Sequence, residues 1–242
     1  MYPFYLLVIA TAPGLIWLFY FLRKDAHPEP RKMILVVFFL GMLSALLAAG
    51  LEILFQHLPI GDIIFAGGPQ SYIFIFLQIV FGVALVEEAL KYAVVRLKVL
   101  RNSALDEPID VLLYMIIAAL GFATMENILI FLSPEMFFYT IEETLTLAAF
   151  RFISATFLHA LVSGTVGFFL ALSFCKIKFK RQLFFLGFAI AVLLHGLYNF
   201  SIMNLEGQLR FGVPLIIIAG LAIFIYFGIR HLKNIKSICK IN

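Results

Sequence analysis

Two carboxylates and an ammonium stand inside a run that is otherwise apolar, Val-Glu-Glu-Ala-Leu-Lys over residues 86–91. On a helix, Lys91 follows Glu87 by four residues and Glu88 by three, so its ammonium can reach back to either. A charge at mid-bilayer costs roughly 2.5–3.5 kcal/mol on insertion scales, which makes an ionisable residue at that depth a candidate for function. The apolar runs that follow carry groups of the same kind: Glu126 and Asn127, then Arg151 and His159, then His195 and Asn199 at i, i+4. Each would be costly facing lipid, so the economical arrangement turns all of them into one polar cavity.

Such a cavity has the parts of a hydrolytic site. Two imidazoles and a carboxylate suffice to hold a zinc ion that keeps one position open for water. His159, His195 and Glu126 are the candidate ligands. Glu87 is the candidate base, taking the proton of that water and passing it to the leaving amine. Lys91 and Arg151 would balance the carboxylates, and Asn199 could donate to a developing oxyanion or to the substrate backbone. Glu88 is a further catalytic candidate, although it projects about 100° away from Glu87 on an ideal helix. No HExxH helix is present, so no local motif establishes the metal. Three other classes fit the same charges: a structural ion pair, a proton- or ion-coupled transporter, and a scaffold whose polar groups only join helices. The inverted repeats of many transporters are not visible.

The elements that must position these groups are membrane spans. The chain is 63% hydrophobic and 13% charged, and runs of about 20 apolar residues recur at 4–22, 33–55, 72–95, 109–132, 145–175, 183–203 and 211–229. The fold expected is an all-α polytopic bundle of about seven spans forming one integral-membrane domain over 1–242, with its working core in spans about 72–203. Spans one, two and seven are expected to pack and bound it. The second has a small-residue face from Gly41 to Gly50, and Glu52 near its end is expected to be interfacial or structural. Fifteen of the eighteen Lys and Arg fall on alternate connections, Arg210 falls on the opposite side, and Lys91 and Arg151 lie within spans. By the positive-inside rule the N-terminus is outside and the C-terminus cytoplasmic. The first span has Arg23 and Lys24 after it and no basic residue before it, the wrong polarity for a cleaved signal. The net charge of +4 is therefore that of cytoplasmic loops, not a nucleic-acid surface. Cys175 and Cys239 offer no disulfide framework.

Glu87-Glu88-x-x-Lys91, Phe122-x-x-x-Glu126-Asn127, His159 with its following small residues, and His195-Gly-x-x-Asn199, in this order and spacing, resemble the PrsW family of intramembrane metalloproteases. The Arg-Lys-Asp loop with Glu29-Pro30 is similar too. The resemblance implies endopeptidase cleavage of single-span or membrane-anchored proteins in a bacterial or archaeal plasma membrane; in the best-known member this is the first cut of an anti-sigma factor. A more distant similarity is to the CAAX prenyl proteases, with their EExxxR, FxxxH and HxxxN motifs. Here Lys91 stands one residue earlier than the arginine and Glu126 replaces the histidine, which leaves open a water activated by Glu87 without a metal.

Overall fold

The structure, a computed structural model, describes residues 2–25, 27–57, 71–102 and 105–235. The expected connection near 56–71 lies mostly outside the described residues, as do Lys236, Cys239 and Lys240. Among the described residues there is no strand, and seven helical spans are long and apolar enough to cross a membrane. They are α1 (Tyr2–Leu22), α2 (Arg31–His57), α3 (Tyr72–Lys98), α4 (Pro108–Phe131), a fifth span made of α5 (Ile141–Ile153) and α6 (Ala155–Cys175), α7 (Lys180–Asn204) and α8 (Gly207–Lys233). All seven overlap the runs read from the sequence.

The bundle is organised around α4, which is apolar on every side; a helix of that kind belongs in the interior. Of its most apolar window, 94% is buried, against 33–39% for α1, α2, α3, α7 and α8. Close contact with α4 is set by small residues. Gly41 of α2 lies on the backbone of Ala118, and Gly121 of α4 lies on the backbone of Phe38, so a methyl group at either position would strike the other helix's carbonyl. Gly167 of α6 meets the Leu112 backbone in the same way. In lipid, helices gain nothing from hiding apolar surface from water, so such backbone approach supplies the packing energy. The polar groups of these interfaces are satisfied within their own helices: Ser44 Oγ donates to Gly41 O at 2.7 Å and Thr124 Oγ1 to Leu120 O at 2.7 Å.

Two departures from regular helix bear on the site. Residues Ile79–Ala84 of α3 form a π-helical stretch immediately before the Glu-Glu pair, a wide turn that recurs next to functional residues. Gly196 of α7 fits against Val80 within it. The fifth span, expected as one run over 145–175, starts at Ile141 and breaks at Ser154 (φ −104°, ψ −80°). The break leaves carbonyls without helical partners. Trp17 Nε1 of α1 donates to one of them, Phe152 O, at 2.9 Å, and its ring stacks on Phe157 at 4.0 Å.

Candidate active site

Around α3 the charged residues meet. Lys91, fully buried, donates through Nζ to Glu87 Oε2 at 3.1 Å and Glu88 Oε1 at 2.7 Å, and lies 2.7 Å from His159 Nδ1. An ammonium has hydrogens only to give, so His159 Nδ1 accepts and its proton sits on Nε2, which faces Glu126 Oε2 at 2.8 Å. Phe122 closes this corner, 4.2 Å beneath Lys91 Nζ and 5.6 Å from the His159 ring. Glu88 is held by three side chains: Lys91, Ser163 Oγ at 2.6 Å, and His195 Nδ1 at 3.1 Å.

Glu88 and Glu87 project about 100° apart on an ideal helix, yet only 0% and 3% of their surfaces are exposed. Both directions meet protein. Glu87 looks toward α2 and α4, where it lines a cavity of about 160 Å³ with Ala45, Ala48, Glu52, Phe122 and Glu126, and Glu88 looks toward Ser163 of α6 and His195 of α7. Lys91 lies between them.

Four residues bring one ligand atom each to within 4.8 Å of the others: Glu87, Glu88, His159 and His195. Glu87 Oε2 is 3.7 Å from His159 Nδ1 and 3.8 Å from His195 Nε2. That is too long for a hydrogen bond and near the spacing, about 3.4 Å, of two ligands that each lie about 2.1 Å from one tetrahedral ion. Each imidazole also has a carboxylate on its other nitrogen, Glu126 behind His159 and Glu88 beside His195, the partner that metal-ligating histidines usually have. Charge points the same way: Glu87, Glu88 and Glu126 outnumber Lys91 and Arg151 by one. The residues therefore fit a divalent cation. The ammonium of Lys91 bonds three of these four donors.

Glu126, expected among the ligands, is not one of these four; it bonds the outer nitrogen of His159 and receives Arg151 Nη2 at 3.5 Å. Asn127 is buried one layer further out, donating to Thr156 Oγ1 at 3.1 Å and accepting from Arg151 Nε. Because Ser154 interrupts the span, Arg151 and His159 reach Glu126 from two helices and not from one face. Asn199 sits one turn beyond His195 on α7, half-buried, and makes none of these bonds.

Two further residues take part: Ser163, one of the small residues that follow His159, and Glu52, expected to be interfacial or structural. The signal for Glu52 was present, since Ala45, Ala48, Ala49 and Glu52 follow i, i+3, i+4, i+7 and continue the small-residue face of α2 straight into the cavity.

A sequence profile described as the PrsW family intramembrane metalloprotease matches residues 29–228. The chain belongs to the PrsW family. Among its relatives, Protease PrsW of Bacillus subtilis (strain 168) is 29% identical over 237 residues, covering 97% of each chain. Protease PrsW of Oceanobacillus iheyensis is 31% identical over 196 residues, 81% of each chain, and that of Geobacillus kaustophilus 30% over 204 residues, 84% of this chain and 82% of the relative. No solved structure matches. The family and the seven spans make this PrsW-family chain a multi-pass membrane peptidase, and of the readings that its buried charges left open they select hydrolysis.

Proposed function

We propose that this PrsW-family peptidase cuts membrane-anchored proteins, of the anti-sigma-factor kind, with a water that enters the cavity between α2 and α4 and gives its proton to Glu87. One observation carries this reading. Of the four residues whose donor atoms converge, Glu87 alone also lines that cavity. The resulting hydroxide attacks the peptide carbonyl, Asn199 donates to the oxygen as it gains charge, and Glu87 returns the proton to the departing nitrogen. Lys91 fixes the Glu87 carboxylate throughout, and Arg151 with Asn127 fixes Glu126 and through it the tautomer of His159.

A divalent metal, zinc being the candidate, would be held by His159 and His195, with Glu126 and Glu88 on their outer nitrogens and Glu87 facing the cavity. It would supply Lewis-acid polarisation of water and carbonyl. The chain works as one domain, 1–242, whose chemistry lies within 72–203 with Glu52 of α2 at its edge. It sits in the bacterial or archaeal cell membrane with its N-terminus outside and its C-terminus in the cytoplasm; the fifteen basic residues on alternate connections support that orientation.

Glu87→Gln keeps the side chain's size and one acceptor, and general-base groups contribute typically about 10²–10⁴-fold. The purified variant, incubated with a single-span reporter substrate, is expected to lose cleavage by that order while keeping its elution profile. Cleavage at the wild-type rate would sink the assignment of the base. Elemental analysis of the active preparation, set beside His195→Ala, tests the metal: stoichiometric metal lost in the variant is the expected result, and activity without metal would restrict the site to its glutamate and histidines.

A further inference from the structure

Away from the active site, at the end of the bundle that carries the basic residues, α1, α6 and α8 leave a cleft of about 290 Å³. Its inner wall is apolar, formed by Phe157, Leu161, Ala222 and Ile225, and its mouth carries Lys24, Arg230 and Lys233. Lys24 Nζ rests 4.4 Å over the Tyr20 ring and the Arg230 guanidinium 5.3 Å over Tyr226. Among the described residues none of the three cations has a carboxylate within 4.0 Å, although the charge of Lys233 is felt at Asp25. The cleft thus joins unpaired positive charge to an apolar trough. From Ala222 to Lys233 the helix rises about 16 Å at 1.5 Å per residue, close to half of the roughly 30 Å hydrocarbon core. The trough therefore runs from headgroup depth to about mid-bilayer. Two tyrosines flank its mouth, the amphipathic rings favoured at that depth.

We propose that this cleft binds one anionic phospholipid, with its phosphodiester among Lys24, Arg230 and Lys233 and an acyl chain along Phe157, Leu161 and Ile225. The chemistry excludes the nearest competitors. A zwitterionic lipid would bring its own ammonium to three cations, and free phosphate would leave the apolar wall without a partner. Basic pockets between membrane helices on the cytoplasmic side hold acidic headgroups for the same reason.

Native mass spectrometry of the detergent-purified full chain tests this with phosphatidylglycerol and phosphatidylcholine of equal acyl length. One phosphatidylglycerol is expected to stay bound, at several-fold higher occupancy than phosphatidylcholine and undisplaced by millimolar inorganic phosphate. The variant combining Lys24→Gln, Arg230→Gln and Lys233→Gln should lose that preference, and Ala222→Trp, which fills the trough, should lower occupancy with the cations intact. Equal binding of the two lipids, full displacement by phosphate, or an unchanged preference in the triple variant would each overturn the proposal. Should the triple variant fail to fold, Arg230→Gln alone, at the exposed end of α8, decides it by whether the preference falls several-fold or stays.

Discussion

Two clusters of acidic side chains are buried in this bundle, and they are built in opposite ways. At the active site Glu87 and Glu88 share an ammonium and approach two imidazoles. At the basic end Asp25, Glu29 and Asp110 bring their oxygens within 4.8 Å of one another, and the groups that bond them are a phenol and backbone amides. Tyr114 donates to Glu29 at 2.6 Å, and the amides of Asp106 and Glu107 donate to Asp110 at 3.1 and 2.7 Å. Burial, the largest influence on Glu29, raises its carboxyl above the ordinary value of 4.5. The first cluster is stabilised by a fixed counter-charge and offers bases and ligands to a cavity. The second is a latch between the first loop and α4 that is held by neutral donors, and burial favours the protonated form of Glu29. Burial of acids alone therefore does not mark a reaction centre; the cation, the imidazoles and the opening to a cavity do.

The sharpest way to break the comparison is to remove the counter-charge. Lys91→Met leaves Glu87 and Glu88 buried without their cation, and losing one partner of a buried pair costs about 3–5 kcal/mol. Thermal unfolding in detergent should show a loss of that order, and added divalent cation should restore part of it if metal and ammonium compete for the same donors. At the latch the effect should be smaller. Tyr114→Phe removes one bond to Glu29 and should cost roughly 1–3 kcal/mol of stability, with cleavage per folded molecule unchanged; a drop in specific activity would join the latch to the chemistry.

The two clusters should also answer differently to pH. Glu29 has a folded-state value above its unfolded one, so its stabilising contribution is complete below the ordinary range near 4.5 and is lost as pH rises through the raised value. The unfolding midpoint should fall over that interval in wild type, and Glu29→Gln should flatten the fall; identical slopes would remove Glu29 from the latch. The smallest effect is expected at Ser163→Ala, which deletes one of the donors to Glu88 and should cost about 1 kcal/mol, read as a slightly lower melting midpoint.

The number of spans, their approximate limits and the identity of the costly residues were legible in the sequence, because lipid imposes long apolar runs and penalises every charge within them. That single constraint also allowed convergence to be inferred, and Glu87, Glu88, Lys91, Glu126, His159 and His195 do meet. Which atom faces which was decided only by packing. Glu88 is in the cluster because α3 is clasped on two sides, so a side chain 100° from Glu87 still points at protein. Glu126 stands behind His159, and Arg151 reaches it from a separate helix, because Ser154 breaks a span that periodicity read as continuous. Glu52 belongs to the cavity because Gly41 and Gly121 let α2 lie directly on α4. One-dimensional hydropathy records what a residue costs in lipid, but the direction of a side chain depends on helix breaks and interhelical distance, and those exist only once the bundle is assembled.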